Sequence, residues 1–147
     1  MTRHVIELFA VLACTLFTGA AIYITAVEHP ARLSCGAEIA VAQWVPSYRR
    51  ATIMQASLAI IAGFLGLVRG LDGSGGALWI AGAILILAVV PFTLVVIRPT
   101  NNQLLHPRGE RVPDETLRLL ISWGRLHLVR SGLSTAASIL FIAGAMQ

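Results

Sequence analysis

Four residues at positions i, i+4, i+7 and i+11 make the most chemically specific pattern in this chain: Trp123, His127, Arg130 and Ser134. On a helix that spacing lines them up along one face. The stripe joins an aromatic surface, an imidazole that titrates near neutral pH, a fixed cation and a hydroxyl. Such a set can take up a proton and hold the anion left behind. Tyr48, Thr52 and Gln55 repeat the spacing i, i+4, i+7, with Trp44 one turn before them and Arg49 and Arg50 beside them. Thr18, Thr25 and Glu28 share a third face, next to His29, and Thr93, Arg98, Thr100, Asn101 and Asn102 form a fourth polar group.

These residues matter because of what surrounds them. The chain has 147 residues, of which 56% are hydrophobic and 12% charged, against roughly 25% charged in a soluble domain. Mean hydropathy is +0.78. A disordered chain, a nucleic-acid module and an ordinary soluble enzyme are excluded. The net charge of +4 comes from eleven cations, all arginine, and their concentration between apolar runs suits membrane loops better than nucleic acid. Cys14 and Cys35 form no redox pair and no disulfide framework.

A membrane-spanning helix needs about 20 mainly apolar residues. Residues 5–27, 51–68, 77–97 and 128–145 qualify. The first run continues past Cys14 through Thr25, as an uncleaved span rather than a signal peptide. The expected fold is all-α, a single integral membrane domain over residues 1–147. It is a four-transmembrane-helix bundle with two long loops, 28–50 and 98–125, on the same membrane face. Pro46 is placed in the first turn of the second helix, and Gly70 to Gly76 in a short connection. Pro91 is expected to kink span three. Pro113, Asp114 and Glu115 start the fourth helix near residue 114, ahead of its apolar part.

Loops one and three carry most of the arginines, including Arg32, Arg49, Arg98, Arg108, Arg111 and Arg125, which places them in the cytoplasm of a bacterial-type inner membrane. Ala59, Gly63, Gly66 and Gly70 form a small-residue face that serves either an internal seam or a homo-oligomer.

All four polar groups fall at the end of the bundle that holds loops one and three. There they can build a pocket of apolar walls with a few polar groups, the usual make-up of a small-molecule site. Each has a plainer alternative. His127 can bond a loop carbonyl, Arg130 can snorkel or pair with Glu28, Trp44 and Trp123 can be interface aromatics, Arg49 can be a topology signal, and Asn101 and Asn102 can cap a broken helix. Glu28, His29 and His127 can supply metal ligands, and His29 with His127 can supply haem ligands. No His-x-x-His or Glu-x-x-His spacing supports either, so no metal site is assigned.

The blocks GAAIYITAVEHPARL, WVPSYRRATIMQASLAIIAG, VPFTLVVIRPTNNQLL and WGRLHLVRSGLSTAA resemble the anthrone-oxygenase-like family of small integral membrane proteins. The resemblance covers nearly the whole chain. It implies a four-helix membrane bundle and, from the fungal members, oxidation of anthrones to anthraquinones with O2 and no evident cofactor. Many bacterial members have no assigned activity, so a related quinone-like planar aromatic is equally open. On this reading His127 is the base, with His29 as second choice, and Arg130 and Arg49 stabilise the enolate or phenolate. Trp44 and Trp123 stack on the substrate beside Tyr48 and Gln55, and Asn101 and Asn102 hold its carbonyl or the peroxide. Two alternatives remain: a non-catalytic membrane protein that binds a lipid, quinone or partner subunit, and a metal- or haem-dependent membrane redox protein.

Overall fold

A computed structural model describes residues 2–72, 76–107 and 112–147. Among the described residues there is no strand. Four long helical rods account for the fold: α1 (Arg3–Ser34), α2 (Ala37–Leu71), α3 (Gly76–Leu105) and α4 (Pro113–Ala145). Each is long and apolar enough to cross a membrane, and the chain is an integral multi-pass membrane protein. At 1.5 Å per residue each rod is roughly 45–53 Å long, longer than a hydrocarbon core of about 30 Å.

The rods form a ring in which α1 packs on α2, α2 on α3, α3 on α4 and α4 back on α1. The packing is inverted relative to a soluble bundle. Large apolar side chains such as Leu8, Phe9, Ile53, Phe64, Val95, Leu128 and Ile139 point outward, as a lipid solvent allows. The interior combines an apolar cluster that includes Phe17, Trp79, Ile86 and Phe141 and several alanines with the polar Glu7, Thr18, His29, Arg32, Gln55, Arg69, His127, Arg130 and Ser134.

The small-residue face of α2 is used inside the bundle. A methyl group added at Gly63 would run into Leu87 of α3, one at Gly66 into Phe141 of α4, and one at Gly70 into Ile80 of α3. Close approach here substitutes for the hydrophobic drive that lipid removes.

The segments between the apolar spans are largely helical. Residues His29–Ser34 continue α1, and Arg98–Leu105 continue α3. The second helix starts at Ala37, well before its apolar span, so Pro46 lies inside α2 rather than in its first turn. The break between α1 and α2 is only Cys35 and Gly36, where Gly36 takes φ 83°, a backbone conformation that glycine adopts freely. These extensions meet at one end around a second apolar cluster of Ile24, Ala40, Val41, Trp44, Ile97, Leu104, Leu120 and Trp123. Gly73, Ser74 and Gly75 of the short connection, and Arg108, Gly109 and Arg111 of the third, lie outside the described residues.

Both α1 and α3 pass through a π-helical turn at this end, Ile24–Glu28 and Thr93–Ile97. Pro30 and Pro99 follow directly. A proline lacks an N–H and crowds the carbonyl four residues earlier. Those carbonyls belong to Ala26 and Val95, each in the middle of its π turn. The wider turn absorbs the conflict, and such turns recur beside functional sites.

Candidate functional site

Between α1, α2 and α4, just inside the helical extensions, lies a small, narrow cavity. Its polar wall comes from Arg32, Ser47, Tyr48, Thr52, Gln55, His127 and Arg130, and its aromatic wall from Trp44 and Trp123. About 20 Å³ is open to the centre of a water-sized molecule, room for roughly one water or one dioxygen.

His127 is held by a chain of hydrogen bonds whose direction can be read from its far end. Ser131 Oγ lies 3.1 Å from the Ala21 carbonyl, which can only accept, so the hydroxyl donates to it. Thr25 Oγ1 lies 2.8 Å from Ser131 Oγ, whose hydrogen is now committed, so Thr25 donates to Ser131. His127 Nδ1 is 3.0 Å from Thr25 Oγ1 and must therefore donate to it. The neutral imidazole then carries its hydrogen on Nδ1 and its lone pair on Nε2. Nε2 is buried and has no partner in the protein. A histidine with one nitrogen anchored and the other bare is arranged as a general base.

His29 is arranged in the opposite way. Its Nε2 lies 3.0 Å from the Leu120 carbonyl and so donates, while its Nδ1 accepts from Arg32 Nη1 at 3.3 Å. Both nitrogens are engaged, so the second-choice base is a structural link between α1 and α4. Those contacts leave His29 no free ring nitrogen in this geometry. Among the described residues, no group of three His, Cys, Asp or Glu side chains is placed to hold a metal ion.

Arg130 is buried, and its Nη2 donates to Gln55 Oε1 at 2.6 Å. Its guanidinium carbon sits 5.6 Å from the centre of the Phe17 ring, a favourable cation–π contact. No carboxylate pairs with it among the described residues, and Nε has no partner. Glu28, the pairing alternative for Arg130, is occupied instead by Arg32 Nη2 at 2.6 Å, Gln43 Nε2 at 2.9 Å and Ser47 Oγ at 2.9 Å. Arg32 Nε also donates to Gln43 Oε1. A buried cation without a counter-ion is costly, and its natural complement is a ligand anion.

The aromatic wall is ordered. Trp44 and Tyr48 stack at 4.8 Å with 8° between their planes, and Trp44 meets Trp123 edge-on at 5.7 Å. Asn101 Nδ2 donates to the Tyr48 hydroxyl at 3.0 Å and leaves Oδ1 free. Gln55 Nε2 and Trp44 Nε1 are likewise buried without partners.

Eight of the ten residues singled out in the sequence line the cavity or lie within one hydrogen bond of it: Trp44, Tyr48, Gln55, Trp123, His127 and Arg130 on its wall, Asn101 through Tyr48 and His29 through Arg32. His29 does not line the cavity, and both its ring nitrogens are engaged. Arg49 and Asn102 do not reach it, since both are exposed. Each follows a site residue by one position, which turns it about 100° around its helix. Arg32 and Ser47 were missed because residues 28–50 read as a loop. Once that stretch is helical, Glu28 and Arg32 become an i, i+4 ion pair.

Comparison with known proteins agrees with the sequence resemblance. The anthrone oxygenase family model matches residues 44–140. The anthrone oxygenase tpcL of Aspergillus fumigatus is 37% identical over 71 residues, covering 46% of this chain and 44% of the relative. The chain thus matches less than half the length of that curated relative. No solved structure matches.

Proposed function

The chain belongs to the anthrone oxygenase family, and from that premise we propose that it is a membrane oxygenase acting without a resident cofactor on an anthrone-like or quinone-like planar aromatic. The observation that carries this reading is the pairing, on one cavity, of a bare imidazole nitrogen at His127 with a guanidinium that has no counter-ion at Arg130.

The chemistry follows from the substrate. The C–H between the rings of an anthrone is acidified by the conjugated carbonyl. His127 Nε2 takes that proton. Negative charge moves to the carbonyl oxygen, and Arg130 stabilises it together with the amide of Gln55. The electron-rich anion gives an electron to O2, and the two radicals join as a carbon-bound peroxide, which takes the proton back from His127. Loss of the second C–H proton to His127 breaks the O–O bond, makes the second carbonyl and releases hydroxide. That hydroxide takes the proton from His127. One substrate and one O2 become one quinone and one water. Trp44, Tyr48 and Trp123 supply flat apolar surfaces for the rings.

Two groups of arginines flank this end, which supports the expected cytoplasmic placement of the helical extensions in an inner membrane. The second reading is binding of a quinone or lipid without turnover.

The test is O2 uptake by the purified chain with a panel of anthrones and hydroquinones, run beside His127→Ala. Substrate-dependent uptake that falls about 10²- to 10⁴-fold in the variant is expected for loss of a general base. Equal uptake by both proteins would remove His127 from the mechanism.

A further inference from the structure

A second space lies against the first, on the outer side of α1 and α4. It has about 220 Å³ open to water-sized molecules, ten times the inner cavity, and its lining is mainly apolar. Ile24, Trp123 and His127 border both spaces. His127 and Trp123 therefore form a partition one side chain thick. The groove's outer edge carries Ile121 and Leu128, both exposed, with the exposed Arg125 between them on the same face of α4. Gly124 forms its floor, where any added Cβ would strike the His29 ring.

We infer that this groove between α1 and α4 is the binding and entry site for the planar apolar substrate, taken sideways from the bilayer rather than from water. The choice of ligand rests on the oxygenase reading above. Three observations support the placement. The inner cavity is too small for fused rings, so the rings need an adjacent space that touches the reacting nitrogen, and this groove borders His127. Its walls are mainly apolar, with Thr25, His29 and Arg125 also lining it, which suits a tricyclic molecule carrying one polar edge. It lies where the apolar runs of α1 and α4 pass into their helical extensions, with the exposed Leu128 on the side of the apolar run, a depth that a lipid-dissolved molecule can reach. The reactive edge of the substrate would lie on the Trp123–His127 partition, with its oxygen directed to Arg130 and O2 confined to the inner cavity.

The test uses the full chain in lipid nanodiscs, with Leu128→Cys in a Cys35→Ser background, since the remaining Cys14 is buried. A membrane-permeant maleimide reports access to the groove edge. Anthraquinone is the probe, so that binding is read without turnover. At about ten times its dissociation constant, anthraquinone should slow labelling of Leu128→Cys about tenfold by simple occupancy. Ile53→Cys, on the lipid face of α2, should label at an unchanged rate. Equal effects at the two positions would overturn the inference. As a second measurement, Leu128→Trp should raise KM for an anthrone while kcat is retained, and an unchanged KM would count against the groove. Protection at Leu128 without O2 uptake would keep the groove and defeat the oxygenase reading. His127-dependent uptake without protection would do the reverse.

Discussion

The two ends of the bundle treat buried charge differently. At the end near the amino terminus, Glu7 takes Arg69 Nε at 2.5 Å and Arg3 Nε at 3.1 Å on one oxygen, and the His4 ring at 3.0 Å on the other. Arg69 also lies 5.6 Å from the centre of the Trp79 ring. The two buried charges there, Glu7 and Arg69, are paired with each other. At the other end Arg32 is matched by Glu28, but Arg130 has only an amide. The buried polar atoms without partners are distributed the same way. Trp79 Nε1 is at the first end, while Trp44, Gln55, Asn101, His127 and Arg130 contribute theirs at the second. A membrane interior makes unpaired polar groups expensive. Their concentration at one end marks where binding a ligand would recover the most interaction.

The sharpest way to break this contrast is to remove one arginine from each end. Arg130→Met should lower kcat about 10²- to 10³-fold, as expected when a preorganised oxyanion partner is lost. Its thermal midpoint should hold or rise, because an uncompensated buried charge has gone. Arg69→Met should do the opposite. It should cost about 3 kcal/mol of stability, the low end for breaking a buried pair because Arg3 stays on the same carboxylate, with turnover per folded molecule unchanged. Thermal unfolding and O2 uptake on both variants decide the matter. If Arg130→Met destabilises and Arg69→Met inactivates, the assignment of roles is reversed.

A smaller effect sharpens the reading of His127. Thr25→Val removes the acceptor that holds the Nδ1 hydrogen, and one such hydrogen bond is worth about 1–1.5 kcal/mol, or roughly tenfold in rate. Thr25→Ser should restore activity, and a variant that fails to recover would point to packing instead. The smallest effects belong to the exposed pair. Arg49→Ala and Asn102→Ala should leave turnover unchanged and stability within about 0.5 kcal/mol. A loss of activity in either would redraw the boundary of the site.

Much of this arrangement was legible in the sequence because helical spacing is a strong signal. The stripe Trp123, His127, Arg130 and Ser134 points inward as its periodicity required, and all four residues are buried. The four apolar runs become the cores of four helices for the same reason. The limits of the helices were less legible, because residues 28–50 and 98–105 carry no long apolar run and helix formation there depends on tertiary packing. Arg49 was drawn into the site by its charge, although its neighbour Tyr48 holds the inward position. The roles of His29 and His127 could not be separated from sequence, since both are lone imidazoles near an arginine. Only the hydrogen-bond partners on a neighbouring helix tell them apart.

The π turn in α1 carries a consequence for comparing relatives. It holds one more residue than a regular turn, so every position beyond it is rotated by about 100° from where an uninterrupted helix would put it. His29 and Arg32 are buried in that rotated frame. A homologue one residue shorter between positions 24 and 28 would close this turn into a regular one and still present His29 and Arg32 inward. A single-residue gap in an alignment at this point would therefore mark a family member that lacks the π turn but keeps the inward face, whereas a full-length member with a regular turn would present Glu28 and Ala31 there instead.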